Sequence, residues 1–435
     1  MSQPDDNLAP LIFRELSPRI SRVLERAGRF ADDRGWKAYL VGGSVRDLLL
    51  RAKNIDLDIL VEGHGLEFAR QFARLEGGIS KLYRRFATAL VILPGGIKLD
   101  VSTTRSETYP RPGSLPVVLP SSLEEDLRRR DFTINALALS LNRESFGRLS
   151  DVCSGRRDLE RGVIRVLHAD SFRDDPTRIF RAVRFQQRLG FVIEPETRRL
   201  IRTAVDLQMF EKVSAERLRR ELELIFQEPR PSRAIESMAA FDELRFIHPR
   251  LLFAPSQREA IRSLDEEWAW FRRRFPEEQA VGWRVYFGAL IWPLAPEEIR
   301  SVAGKFNLAL AFTRDLLLAR EREERLAERF SASPPPAPSE IYGELKAFPA
   351  EVLLILMARR ERGGLREGIR VYLERLRGEK TLIGGADLMA GGLAPGPRFT
   401  RILEAVLRAR LDGQVSTRAE ELALARSLID KSDGA

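Results

Sequence analysis

The feature that most constrains this chain is a pair of acids at the head of an apolar run, placed just after a double-glycine turn. Asp56-Leu57-Asp58-Ile59-Leu60-Val61 opens by alternating carboxylate with aliphatic, nine residues after Gly42-Gly43-Ser44-Val45-Arg46-Asp47. Residues two apart on a strand share a face, so Asp56 and Asp58 project side by side. Two like charges a few Å apart are costly unless a cation lies between them. A pair of Mg²⁺ ions at Asp56 and Asp58 would relieve that cost, neutralise a triphosphate and activate a hydroxyl. Upstream, the apolar run Ala38–Val41 stops at Gly42, and Val45–Arg51 reads as the start of a helix. Gly42 and Gly43 therefore sit at a strand-to-helix turn, where bare backbone N–H groups can approach phosphate oxygens. An exposed acidic strand or an ordinary glycine turn would explain either half alone; the two at this spacing point to phosphate chemistry.

The surrounding sequence predicts an α+β head over residues 1–150, built on a small sheet. Leu11–Asp33 has helical periodicity. Ala89–Leu93 and Ile97–Ser102 flank Pro94-Gly95-Gly96 as a hairpin, and Ala136–Leu141 is a further strand. Beyond about Asp170 strand signals nearly vanish. Pro176–Leu189, Ala215–Phe226, Ser256–Arg274, Pro296–Gly304 and Phe312–Phe330 all carry the helical period. Ser331–Ser339 (SASPPPAPS) reads as a linker, because its prolines forbid helix and it has little to bury. The division that follows is a head at 1–150, helical segments at 151–245 and 246–330, and a helical tail at 340–435. Trp268, Trp270, Trp283 and Trp292 are expected to fill the core of the helical part.

Charge narrows the partners. Lys+Arg number 72 against 63 Asp+Glu, a balance of +9, and arginine outnumbers lysine severalfold. Planar guanidinium suits phosphate-rich partners better than membranes. The opening MSQPDDNLAP lacks the pattern of an export signal, no apolar run approaches the roughly 18 residues of a membrane span, and the one cysteine excludes an internal disulfide. A cytoplasmic protein facing RNA or nucleotides is the expectation.

Three further groups carry chemistry. Asp100, in Lys98-Leu99-Asp100-Val101, lies on the hairpin and could add a third carboxylate, or be an exposed strand acid. Arg129-Arg130-Asp131-Phe132-Thr133-Ile134-Asn135 sets bases beside an acid and an amide, a mix suited to triphosphate and ribose. Alone it reads equally as a charged turn. Asp174-Asp175-Pro176-Thr177-Arg178 runs into a helix, and Asp before Pro is an ordinary N-cap signature. That leaves Arg178, Arg181 and Arg184 unexplained, three residues apart along one side of the helix. Asp175 and Arg178 could together read a base edge offering an amino donor beside a ring-nitrogen acceptor, as cytosine and adenine do. Arg181 and Arg184 would then face phosphates.

The series G-G-x-V-R-D…D-x-D, R-R-D-F-T-I-N-A and D-D-x-x-R…R-A-V-R-F resembles class II tRNA nucleotidyltransferases, the CCA-adding enzymes and their poly(A) polymerase relatives, over residues 36–226. The likeness continues through Ser214–Phe226 and Thr381–Ile429. It implies a head, neck, body and tail, and Mg²⁺-dependent addition of C and A, from CTP and ATP, to tRNA 3′ ends without a nucleic-acid template. It implies metal binding by Asp56 and Asp58. Gly42, Gly43, Arg46 and Asp47 are placed beside the triphosphate, and Arg130, Asp131 and Asn135 at nucleotide and ribose. Asp175 and Arg178 match the pair that selects the incoming base. Ser106–Ser122 corresponds to a flexible loop needed for the final A. The helical arm is expected to clamp the acceptor and TΨC stems. Members adding only A or only CC, poly(A) polymerases and a non-catalytic RNA-binding relic all remain compatible with these motifs.

Overall fold

The computed structural model describes residues 7–53, 55–359 and 363–433; the first six residues of the opening read above lie outside it. The helical stretch Leu11–Asp33 is broken in two. α1 (Ala9–Glu15) stops short of Ser17, whose Oγ accepts the Ile20 N–H, and Pro18 takes the first position of α2 (Pro18–Asp32). The head continues as β1 (Ala38–Val41), α3 (Gly43–Leu49), β2 (Leu57–Val61), α4 (Gly65–Leu75), β3 (Ile79–Tyr83), β4 (Thr88–Ile92) and β5 (Lys98–Thr103). Then come β6 (Arg105–Thr108), β7 (Val117–Pro120), α5 (Leu123–Arg128), β8 (Leu137–Ser140) and β9 (Leu149–Asp151).

Among the described residues the main sheet has seven strands, in the order β3-β4-β5-β2-β1-β8-β9. β4 and β5 form the expected hairpin, turning through Gly95 and Gly96 at φ +77° and +81°. β2 runs parallel to β5 in a register that sets Asp58 opposite Asp100. One face is covered by α2 and α4, where the rings of Phe30, Phe68 and Phe72 lie 5.4 to 5.5 Å apart over Leu40, Ile59, Val91 and Val101. Tyr39, Val41, Leu60 and Ala138 alternate to the other face, against Leu127. By the same alternation Asp58 shares its face with Leu60, away from the aromatic core.

The Ser106–Ser122 segment is more ordered than a Pro- and Gly-rich stretch suggests. β6 and β7 pair antiparallel from Arg105↔Pro120 to Thr108↔Val117, so only the tip between them is loop. Val117, Val118 and Leu119 supply the strand propensity.

Helices follow: α6 (Gly155–Glu160), α7 (Ser171–Asp174), α8 (Arg178–Leu189), α9 (Pro195–Asp206) and α10 (Ala215–Ile225). α8 buries Ile179, Phe180, Ala182, Val183 and Phe185 and ends at Gly190 in the left-handed region. The chain divides into two compact units, one reaching to Glu221 with Ala240–Phe246, the other taking Leu222–Ala239 and the chain from Ile247 on.

The second unit is helical: α11 (Pro231–Ala240), α12 (Pro255–Arg274), α13 (Gly282–Ile291), α14 (Pro296–Lys305), α15 (Leu310–Ser331), α16 (Pro338–Leu345), α17 (Ala350–Arg359), α18 (Gly364–Val371), α19 (Gly385–Ala390), α20 (Pro397–Leu411) and α21 (Arg418–Asp433). α12, α13 and α17 pack together, and Leu264, Phe271, Tyr286, Phe287 and Leu354 are buried in them. Trp283 and Trp292 are buried as expected, whereas Trp268 and Trp270 are only half-buried. The prolines of Ser331–Ser339 do interrupt the helix. Yet α15 and α16 both pack on α18, which makes the segment a corner inside this unit. Ile383, Leu388, Val406 and Ala425 form a separate small core towards the end of the chain. No helix among the described residues is long and apolar enough to cross a membrane.

Candidate active site

The double-glycine turn is tied directly to the acidic strand. Gly42 has φ +63° and ψ −124°, a backbone that L side chains rarely adopt, and its N–H donates to the Leu137 carbonyl. A Cβ at Gly42 would lie 2.5 Å from Nη1 of Arg130; at Gly43 the nearest atom, Nη2 of Arg46, is 3.6 Å away. Next in line, the buried Ser44 hydroxyl donates to the Asp56 carbonyl at 2.6 Å and accepts the Asp58 N–H at 2.8 Å. One side chain thus holds both ends of the Asp-x-Asp step. Its role is invisible in the sequence, where it stands as a spacer.

Asp56 immediately precedes β2, Asp58 lies within it, and Asp100 stands across on β5. Burial pushes the Asp58 carboxyl up to about 6, Asp100 and Asp56 push the same way, and Arg130 and Arg46 oppose them. Asp100 is raised by burial and by Asp56. Three hard oxygen donors that repel one another suit Mg²⁺, which is commonly bound by one or two carboxylates with phosphate and water completing the shell. Among the described residues no three acids, histidines or cysteines are gathered tightly enough to hold an ion unaided. The arrangement therefore fits a metal shared with a phosphate ligand.

A chain of charged groups runs from this strand to α8. Arg46 is buried, pairs with Asp47 and donates to Oδ1 of Asn135 at 2.6 Å. The Asn135 amide donates to Oδ1 of Asp131 at 2.9 Å, an oxygen that also accepts the Phe132 N–H. Oδ2 of Asp131 takes both Nε and Nη2 of Arg181, at 2.8 and 2.7 Å. Burial would raise the Asp131 carboxyl; Arg181, the Asn135 hydrogen bond and Arg178 overcome this and hold it at about 2. Asp131 and Asn135 are thus bonded to protein partners and also face the cavity.

A second network starts at Asp126 on α5, which is fully buried. It accepts from Arg129 at 2.7 Å and from Arg130 at 3.0 Å. Arg129 also pairs with Glu107 on β6, and the Tyr109 hydroxyl donates to the same carboxylate. The Nε of Arg130 is buried without a partner, an orphaned donor beside Gly42.

The Asp175 segment departs from the simple cap. α8 starts at Arg178 after Thr177, and Oδ1 of Asp175 accepts from the Thr177 N–H at 3.0 Å and hydroxyl at 2.6 Å. Arg217 on α10 donates to that same oxygen at 2.9 Å and to the Gly113 carbonyl at the ribbon tip. Oδ2 of Asp175 has no hydrogen bond among the described residues. Arg178 is buried, donating to the Ser171 hydroxyl at 2.7 Å and the Arg129 carbonyl at 2.9 Å.

These groups meet around a cavity of about 440 Å³. Of the residues singled out from sequence, Gly43, Arg46, Asp58, Arg130, Asp131, Asn135, Asp175, Arg178, Arg181 and Arg184 line it. Asp58 and Arg130 also line an adjoining cavity of about 330 Å³ that contains Asp100. Gly42, Asp47 and Asp56 line neither. Sequence reasoning missed Glu107, Tyr109, Phe185 and Arg188 on the wall. Arg188 continues the α8 arginine row by one more turn, a signal that was present, while Glu107 and Tyr109 were hidden in a segment read as loop. Phe185 carries the Arg46 guanidinium 4.9 Å above its ring.

Known proteins resemble this chain along nearly its whole length. Residues 38–165 match the poly A polymerase head domain, and residues 190–254 match the probable RNA and SrmB-binding site of polymerase A. An A-adding tRNA nucleotidyltransferase of Geobacter sulfurreducens is 40% identical over 97% of this chain and 48% of its own length. An A-adding tRNA nucleotidyltransferase of Halalkalibacterium halodurans is 32% identical over 99% of this chain and 97% of its own. The chain thus spans about half the length of the first and nearly all of the second. A Thermotoga maritima CCA-adding enzyme solved with tRNA superposes with a TM-score of 0.83 at 33% identity, covering 97% of this chain and 98% of that one.

Proposed function

Since this chain belongs to the class II tRNA nucleotidyltransferase and poly(A) polymerase family, we propose that it adds C, A or both to the 3′ end of tRNA without a nucleic-acid template. The observation that carries this is the single cavity joining the Asp58 face to the Asp175–Arg178 pair through seven arginines. The relatives named A-adding favour transfer of the terminal A. tRNA and ATP, with CTP if C is also added, are the partners, and the cytoplasm is the place of action.

Asp56 and Asp58, with Asp100 alongside, would hold Mg²⁺. The chemistry that Mg²⁺ supplies when bound is a lowered pKa at the tRNA 3′-hydroxyl and neutralisation of the leaving pyrophosphate. Ser44 keeps the two carboxylates in step. Arg130, with its unsatisfied Nε, and the α8 row bind the triphosphate. Asp131, on the same wall, fixes Arg181 and Asn135. Asp175 can accept the exocyclic amino group of the base on Oδ2 while the Arg178 guanidinium donates to the ring nitrogen. Uracil and guanine present the opposite pattern and are rejected. Adenine and cytosine both satisfy the pair, so the choice between them rests on cavity shape. In the second unit, Arg230, Arg233, Arg262, Arg273, Arg366 and Arg370 line a cavity of about 890 Å³ beside Trp270. That surface suits stem phosphates recognised by shape, and tRNA affinity should fall steeply with salt.

The test is a gel assay with Mg²⁺ and one tRNA prepared lacking CCA, ending in the first C, and ending in CC, each offered the four NTPs singly and CTP with ATP. Extension by one A of the CC-ended tRNA alone identifies A addition, and completion from every stage identifies full CCA addition. A long A ladder on unrelated RNA would transfer the protein to poly(A) polymerase. Binding without any incorporation would refute the catalytic reading.

A further inference from the structure

The first unit holds a smaller cavity, of about 240 Å³, between the end of α9, the turn Met209–Lys212 and the turn Glu243–Phe246. Phe210 and Phe246 form an apolar wall there, with ring centroids 5.1 Å apart. Both rings also touch Phe180, at 5.1 and 5.0 Å, so the cavity backs onto the helix that carries Arg178 and Arg181.

Glu243 lines this cavity and is fully buried, and neither of its carboxylate oxygens has a hydrogen-bond partner. Burial raises its carboxyl well above the usual range. Buried polar groups almost always find partners, and one left without costs free energy that an aliphatic side chain of similar size would not. The missing complement is a positive charge. Asp206 and Glu211 at the rim add negative potential. The lining cation, Arg245, is exposed and turned onto Asp242, Nε to Oδ2 at 2.9 Å.

We propose that this cavity is a binding site for a small aliphatic ammonium ion, its charge paired with Glu243 and its alkyl part lying on Phe210 and Phe246. A bare metal ion fits poorly, since among the described residues no three acids, histidines or cysteines converge and two walls are aromatic. Aromatic faces accept an organic cation. The volume lies below the roughly 300 Å³ at which pockets for drug-sized ligands begin, which suits a chain of a few carbons.

The test is isothermal titration calorimetry of the full-length protein with n-butylammonium chloride at fixed ionic strength, with KCl and n-butanol as controls. We expect saturable one-to-one binding to the wild type and a loss of roughly thirtyfold or more in Glu243→Gln, the size expected when one partner of a buried charge pair is removed. A carboxyl buried without a partner is favoured in its neutral form, so pairing draws off its proton and the wild-type heat should vary with buffer ionisation enthalpy. That readout decides the matter even if the variant fails to fold. The inference is overturned by no saturable binding, by equal binding of n-butanol, by a signal that KCl reproduces, by unchanged affinity in Glu243→Gln, or by binding without proton release.

Discussion

Asp131→Asn is the most informative single change, because the structure gives its cost. The substitution preserves shape and leaves an oxygen for the Phe132 and Asn135 donors, but it turns an amide N–H towards Arg181. The wild-type carboxyl falls from 3.8 to about 2, a preference for the charged form that corresponds to about 2 kcal/mol at neutral pH. Asp131 is almost fully buried, so little of this is lost to screening. Hydrogen exchange read by mass spectrometry, along a urea series, should show β8 and α8 opening at lower denaturant in the variant. The sign with pH is fixed: a depressed folded value gives stability that is present above 3.8 and lost as pH falls through about 2. The gap between wild type and variant should therefore hold down to about pH 4 and close towards pH 2. Freed from its anchor, Arg181 should also hold nucleotide less well, raising KM by roughly tenfold, or about 1.4 kcal/mol. Equal stability at neutral pH, or a gap that persists at pH 2, would refute the reasoning.

Four other substitutions probe different parts of the chain. Gly42→Ala forces a side chain into a φ of +63° and a Cβ to within 2.5 Å of Arg130, so it should cost about 2 kcal/mol and most of the transfer activity, whereas Gly43→Ala should leave the melting temperature unchanged. Ser44→Ala strips a partner from the Asp58 N–H and the Asp56 carbonyl; a loss of about 2 kcal/mol is expected, with a higher Mg²⁺ concentration for half-maximal activity, read from a metal titration of transfer rate. In the second unit, Glu267 is fully buried on α12 and pairs with both Arg366 and Arg370. Glu267→Gln should lower stability by about 3 kcal/mol, visible as faster exchange in α12 and α18.

What could be read from sequence was what local rules dictate. The strand at Ala38–Val41, the glycine turn, the Asp-x-Asp strand and the β4–β5 hairpin each follow from alternation and turn chemistry within a few residues. The helix starts were less legible: Leu11–Asp33 splits because Ser17-Pro18 outweighs a continuous period, and α8 begins late because Asp175 spends an oxygen on Thr177. Partnerships at long range were not legible at all. Nothing in R-R-D-F-T-I-N shows that Asp131 pairs with Arg181, fifty residues on. Nor does the β6–β7 pairing that presents Glu107 and Tyr109 announce itself amid prolines and glycine.

The same long-range pairings explain how so cationic a cavity exists before any substrate arrives. Seven arginines and four acids line it, leaving three positive charges in about 440 Å³. Left to themselves those guanidiniums would repel and disperse. Each of Arg46, Arg129, Arg130 and Arg181 is instead tethered to a carboxylate that the fold has buried or half-buried: Asp47, Asp126 or Asp131. The cost of assembling the positive surface is thereby met during folding, through Asp126 and Asp131 above all. Beside them burial, Asp100 and Asp56 raise the proton affinity of Asp58, and burial and Asp56 raise that of Asp100. A phosphate chain alone would satisfy the arginines and aggravate the acids. A phosphate chain that brings a divalent cation with it would satisfy both, which is the physical argument for the proposal that the arginine-lined cavity and the neighbouring acids serve one reaction.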